Sequence, residues 1–215
     1  MKKIISFSLW GSNPIYTHGA VKNAKLALEI YPDWICRYYV GKDVPLDIIK
    51  SLISFDNTEI YIMNEPRDWT GMFWRFYAAS DLDVDVMISR DTDSRLNDRE
   101  KAAVDEWLVS DKEFHIMRDH PYHNVPILGG MWGVKDCFLS EMVCDIDDYV
   151  KGDYWQVDQH FLRDIVYPKI KDRAMVHDEY FENKPFPKIR ENGLFVGQAF
   201  DEDDKLLNPE HIDLL

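Results

Sequence analysis

The residues whose types and spacing best suit chemistry lie in Ser89-Arg90-Asp91-Thr92-Asp93-Ser94-Arg95. Asp91 and Asp93 are one residue apart and follow the apolar run Val86-Met87-Ile88. In an extended segment, side chains at i and i+2 point the same way, so one hard divalent cation can be held by both carboxylates. A cation held there can bridge the phosphates of a nucleotide. The flanking Arg90 and Arg95 can pair with phosphate oxygens or offset the local negative charge. The spacing also arises by chance in a chain with 39 acidic residues, and Asp favours turns. What favours chemistry is position: open α/β sheets place their ligand crevices just past the carboxyl ends of buried strands.

Other candidates are weighed the same way. Tyr16, in a loop after the first strand, can stack on a nucleotide base or be structural. Arg75 lies inside the apolar stretch Met72-Phe73-Trp74-Arg75-Phe76, so it either bonds an acidic neighbour or faces the ligand crevice. His120 and His123 read first as surface or hydrogen-bonded histidines. Gly129 and Gly130 interrupt a strand read over Ile127 to Val134; either a bound sugar edge approaches the backbone there or the strand bulges. Asp158, near the start of a helix, suits an acceptor-side base or an N-terminal dipole partner. His177 ends a late strand and is a plausible third metal ligand.

The elements that must position these residues follow from hydrophobic periodicity. Strands are expected at Lys3–Leu9, Trp34–Val40, Glu59–Met63, from Val86, at Glu113–Met117 and at Ala174–His177. Helices are expected at His18–Tyr31 (apolar face Val21, Ala24, Leu28, Tyr31), Val44–Ile53, an Asn97-capped helix to Leu108, Phe138–Val150 and from Tyr154 to about Val166. A further helix is expected around Arg75, with Met72, Phe73, Phe76 and Ala79 as its core stripe. The βαβαβ alternation argues for an α/β fold: a single-domain, doubly wound, mostly parallel sheet flanked by helices. The domain spans 1–215, with a nucleotide-binding half over about 1–95 and an acceptor half over about 96–215.

Composition narrows the function classes. The formal charge of −14 argues against wholesale binding to nucleic acid, which needs clustered Lys and Arg, and fits an acidic cleft that concentrates a cation. Hydrophobic content of 46% and aromatic content of 13% indicate a packed globule. The cysteines Cys36, Cys137 and Cys144 match no zinc spacing, and their odd number argues against a disulfide framework, so a cytoplasmic location is expected. No run approaches the ~20 apolar residues of a membrane span, the N-terminus lacks a signal-peptide pattern, and the acidic tail Asp201–Asp204 is expected to be solvated.

Taken together, these segments resemble the GT-A class of nucleotide-sugar-dependent glycosyltransferases, and over nearly the whole chain a bacterial and viral set of them. The segments that carry the resemblance are Phe73-Trp74-Arg75-Phe76, Ser89 to Arg95, Phe114-His115-Ile116-Met117-Arg118-Asp119-His120-Pro121, Gly129-Gly130-Met131-Trp132-Gly133, Asp158-Gln159 and Val176-His177-Asp178. The resemblance implies a Rossmann-like fold and a divalent-metal-dependent, hexosyltransferase-like enzyme. It would move a sugar from a nucleotide-diphosphate donor, a UDP-sugar favoured, to a glycan or other hydroxyl acceptor. It further implies that Asp93 binds Mn²⁺ or Mg²⁺, that Asp91 contacts the ribose or the metal, and that His177 completes the coordination. Arg75 would face the donor diphosphate, Gly129-Gly130 would let the sugar lie against backbone, and Asp158 would contact acceptor or sugar hydroxyls. At the C-terminus, Asn183-Lys184-Pro185-Phe186 only echoes the lysine–proline–aromatic ending of some retaining relatives.

Two other classes compete. A nucleotidyltransferase acting on sugar phosphates also uses metal-bound carboxylates, but Gly11-Ser12-Asn13-Pro14 lacks the usual phosphate-cradling glycine pattern. A non-catalytic glycan-binding module is compatible with the aromatic content.

Overall fold

The computed structural model describes residues 1–64, 68–135, 141–149 and 152–215. Its frame is a seven-stranded sheet in the order β3-β2-β1-β4-β6-β5-β7, with strands β1 (Lys3–Leu9), β2 (Ile35–Gly41), β3 (Thr58–Met63), β4 (Val86–Ser89), β5 (Phe114–Arg118), β6 (Trp132–Lys135) and β7 (Ala174–Asp178). The expected mostly parallel arrangement is observed: β1 pairs in parallel with β2 and β4, β2 with β3, and β5 with β7. β6 alone runs antiparallel, between β4 and β5. The strand expected from Ile127 begins only at Trp132, so Gly129 and Gly130 lie in the approach to β6.

β1 shows how the sequence assigns its two faces. Successive side chains of a strand point to opposite faces. Ile5, Phe7 and Leu9 join the apolar layer under helices α1 (Pro14–Ile30) and α2 (Leu46–Ile53). Ile4 joins the opposite layer, with Phe73, Phe76, Trp132 and Phe161. Ser6 and Ser8 share Ile4's face and spend their hydroxyls on one residue: Ser6 Oγ donates to the Arg75 carbonyl at 2.7 Å, and Ser8 Oγ accepts from the Arg75 N–H at 3.0 Å. A buried hydroxyl needs such a partner.

Helix α1 starts earlier than His18. Asn13 caps it, its Oδ1 accepting from Ile15 N at 3.1 Å, and Pro14 occupies the first turn, where a missing N–H costs nothing. Its buried face includes Ala20, Ala24 and Ala27, which join the apolar layer on the sheet, and Gly19, where a Cβ would strike the Thr92 carbonyl, while Leu28 is 46% exposed. The expected helix around Arg75 is a 3-10 helix, Trp69–Ser80, begun by Asp68, whose carboxylate accepts from Thr70 N at 2.8 Å. At three residues per turn, positions i and i+3 align. Phe73, Phe76 and Ala79 therefore form a buried row, and Met72 and Arg75 form another that meets a cleft.

The Asn97-capped helix is observed as α3 (Asp98–Val109), with Asn97 Oδ1 accepting from Glu100 N at 2.9 Å. Helix α4 covers Met142–Asp148; the start of the expected Phe138–Val150 helix and Cys137 lie outside the described residues. The later helix begins at Val157, as α5 (Val157–Phe161), and continues through a π-helical turn over Leu162–Val166. Cys36 and Cys144 are free thiols. No helix among the described residues is long and apolar enough to cross a membrane.

Arg90 shows how the residue before the paired aspartates is anchored. It is 2% exposed, and its Nε donates to Glu100 Oε1 at 3.1 Å. The same Glu100 oxygen accepts from the Tyr31 hydroxyl at 3.0 Å. Removing one partner of such a pair strands a buried charge, whereas removing both is far milder. Glu100→Ala is therefore expected to lower stability in urea unfolding by about 3–5 kcal/mol, and the double change Arg90→Met/Glu100→Leu by clearly less.

Candidate active site

The carboxyl ends of β1 and β4 lie side by side because the strands are parallel neighbours. A cleft of about 720 Å³ opens there. Ser8 to Asn13 form one wall, Asp91 to Asp93 the floor, and Met72 and Arg75 enter from the 3-10 helix. Tyr16 lines it from the first turn of α1, and Gly197 and Ala199 from the C-terminal segment.

The deepest feature is a row of charges. Arg75 is 4% exposed. Its Nη1 pairs with Asp91 Oδ1, and its Nη2 donates to Asp158 Oδ2 at 2.9 Å. The two readings of Arg75 thus both hold: it bonds acidic neighbours and it lines the cleft. Asp158 is fully buried and is not among the cleft-lining residues. Burial holds its carboxyl above the ordinary range, and Arg75 offsets only part of that rise. Its Oδ1 has no hydrogen-bond partner among the described residues.

Gly129 and Gly130 are explained by this row. A Cβ on Gly129 would strike the Arg75 guanidinium and lie 2.7 Å from Asp158 Oδ2 and 2.8 Å from Gln159 Nε2. A Cβ on Gly130 would overlap the Asp91 carboxylate. The backbone is held against the row, with Ser89 Oγ donating to the Gly129 carbonyl at 2.6 Å and Gly129 N donating to Gln159 Oε1 at 3.2 Å. The atoms that approach these glycines are the protein's own charged side chains.

Asp93 also lines the cleft. Burial, with the Asp91 carboxylate adding to it, pushes its carboxyl up to about 6. The Tyr16 hydroxyl is raised by burial first and then by Asp93 and Asp91, so all three groups share one field. Neither neighbouring arginine lines the cleft. Arg90 is sealed beneath it. Arg95 clasps the loop to the C-terminal segment: its Nε donates to Asp204 Oδ1 at 2.8 Å and its Nη2 to the Asp201 carbonyl at 2.9 Å. Phe200 N donates to the Asp93 carbonyl at 2.8 Å, and Lys22 Nζ donates to Asp204 at 2.6 Å. The tail is solvated at Asp203 and Asp204, as expected, and is also tied down, because the Asp204 carboxylate meets both cations.

His177 does not join the aspartates. It is 3% exposed and outside the cleft lining. Its Nδ1 is 2.8 Å from His115 Nε2, and its Nε2 is 3.4 Å from Glu106 Oε2. Strand β7 lies at the far edge of the sheet from β1 and β4, so a residue at its end is carried away from the cleft. Lys184 bonds Glu182 at 2.6 Å. His120 and His123 accept from backbone N–H groups of Tyr122 and Asp119, as hydrogen-bonded histidines would. Cleft residues with no ligand-facing role in the sequence reading include Ser8, Trp10, Met72, Gln156 and Gln159. The two hydroxyls alternating in buried β1 were the available signal.

An active-site mutant of LgtC superposes on the chain with a TM-score of 0.52 and 11% identity, covering 83% of this chain and 74% of that one. S. aureus TarS (1–349) gives 0.52 and 11% identity, covering 86% of this chain and 59% of that one. The fold is GT-A. By sequence, no protein-family model and no curated protein matches. In this chain the paired aspartates stand at the end of the sheet where doubly wound folds open their crevices.

Two outcomes follow from the geometry. Asp93 binds its proton more tightly in the fold, at about 6, than in the unfolded chain at about 3.9. Its stabilising contribution is full below about pH 4 and is lost as pH rises through about 6. In metal-free buffer, Asp93→Asn is expected to raise the melting temperature above pH 6 and to leave it nearly unchanged at pH 4. Separately, Gly130→Ala is expected to cost about 1–3 kcal/mol in urea unfolding, as overpacking does.

Proposed function

We propose that this chain is a metal-dependent glycosyltransferase that moves a sugar from a nucleotide-diphosphate donor to a hydroxyl acceptor. The observation that carries the reading is the meeting of Tyr16, Asp91 and Asp93 in one cleft of about 720 Å³ at the carboxyl ends of β1 and β4. That volume falls in the range of small-ligand sites. LgtC, with which the chain shares its fold, is a galactosyltransferase.

The residues suit a divalent cation of the kind that takes one or two protein carboxylates and completes its shell with substrate phosphates and water. Asp93 would be the principal ligand, its repulsion from Asp91 relieved by the added charge, and Asp91 would contribute the oxygen not paired with Arg75. Among the described residues no third His, Cys, Asp or Glu joins them, as expected if the donor supplies the rest. Bound there, the cation supplies neutralisation of the charge that develops on the departing nucleoside diphosphate. Tyr16 stacks on or flanks the nucleoside. Arg75, locked between Asp91 and Asp158, fixes the direction in which Asp91 faces. Asp158, buried behind it, holds that arginine in place.

Calorimetric titration of UDP-sugars, first with Mn²⁺ and then with chelator, tests the reading. Metal-linked donor binding is expected in the wild type, with a loss of about 10²-fold or more in transfer or donor hydrolysis for Asp93→Asn. Full activity of that variant in chelator overturns it. Release of nucleoside diphosphate agrees with sugar transfer, whereas release of pyrophosphate points to nucleotidyl transfer.

A further inference from the structure

The outer half of the cleft differs in character from its floor. Three large aromatic side chains line it while remaining open to solvent: Trp69 at 38%, Tyr122 at 61% and Trp155 at 65% exposure. Exposed aromatics gathered on one rim are unusual for a surface with nothing to bind. The same cleft is lined by the amides of Asn124, Gln156 and Gln159, which offer both donors and acceptors. Gln156 has a left-handed backbone, φ 71°, a conformation that non-glycine residues rarely hold and that gathers at functional sites. It separates solvent-exposed Trp155 from buried Asp158, so the strain sits where the chain turns from the rim to the charge row.

The rim offers no unengaged cation among the described residues. Arg163 lines it, but Asp164 holds it in a two-point pair, Nε to Oδ1 at 2.7 Å and Nη2 to Oδ2 at 2.9 Å. His160 Nδ1 is 2.9 Å from the Tyr154 hydroxyl. The chain as a whole carries −14, which disfavours an anionic partner. Aromatic faces pack against the C–H faces of pyranose rings, and amides pair with hydroxyls on both sides of the hydrogen bond.

We infer that this rim is the acceptor subsite and that its occupant is an uncharged saccharide stacked on Trp155, with hydroxyls read by Gln156 and Gln159. The inference rests on the proposed sugar transfer, because it assigns the second substrate of the same cleft.

The test uses the full chain with Mn²⁺ and UDP, and lactose, maltotriose, cellotriose and chitotriose as uncharged probes. A galacturonic acid trisaccharide is the charged probe. Saturation-transfer NMR and tryptophan fluorescence report binding. At least one uncharged probe is expected to bind through its C–H protons. Trp155→Ala should weaken it at least 10-fold, Trp155→Phe less than 3-fold, and the charged probe should bind more weakly than the best uncharged one. Since Trp155 is exposed, both variants should melt as the wild type does and keep its metal-linked affinity for the donor. Preference for the charged probe, absence of binding by all uncharged probes, or equal affinity in Trp155→Ala overturns the inference. If the donor binds with metal while the saccharides do not, the subsite alone fails; if the donor does not bind, the underlying reading fails first.

Discussion

The structure of the cleft depends on one buried cation shared by two carboxylates. Arg75 could not remain inside an apolar layer without compensation, and Asp91 and Asp158 supply it from opposite halves of the chain. The arrangement extends outward from there. Ser6 and Ser8 fix the backbone of Arg75 from β1, and Gly129 and Gly130 leave room for the charged groups beside β4. Burying such a row is not a source of net stability in itself, since desolvation offsets much of the attraction. Its effect is geometric: Asp91 faces one way, and Asp93 is left beside it without a matching positive charge.

The parts of this arrangement visible in the sequence were those with a period. Apart from β6, the strands announced themselves by short runs rich in apolar residues, and their ends agreed with expectation to within a residue or two. Asn97 and Asp98 marked the start of α3 by cap chemistry that acts locally. The helix around Arg75 was legible as a helix with Phe73, Phe76 and Ala79 on its core stripe, but not its 3-10 winding, which carries Met72 out of that stripe to the cleft. The start of β6 was misplaced because the glycines interrupt no strand but lie against charges 39 and 54 positions earlier and 29 later in the chain. No local pattern encodes such partners.

The site followed the same division. Asp91 and Asp93 were legible because their chemistry and their strand are adjacent in sequence. His177 was assigned by its place at a strand end, yet which strand end meets the crevice is decided by strand order, and β7 lies at the sheet's edge. The C-terminal tail is as solvated as its acidic run suggested, but its tie to Lys22 and Arg95 was not legible, because those partners are more than a hundred residues away. Tail and aspartate loop form one unit, so the floor of the cleft is braced by the last part of the chain as well as by the sheet beneath it.

The reversed direction of β6 has a consequence for how such a chain can diversify. Because β5 ends and β6 begins at the same edge, the connection over 119–131 never crosses to the back of the sheet. Its exposed positions, Tyr122 and Asn124, can change over the crevice while every strand keeps its pairing, whereas buried Asp119, Ile127, Gly129 and Gly130 are held by the core and the charge row. A parallel strand in that place would need a crossover along the sheet, and each alteration of the loop would also disturb the packed layer behind it. The single reversal therefore leaves only the exposed middle of this connection, and not its two ends, independent of the packing.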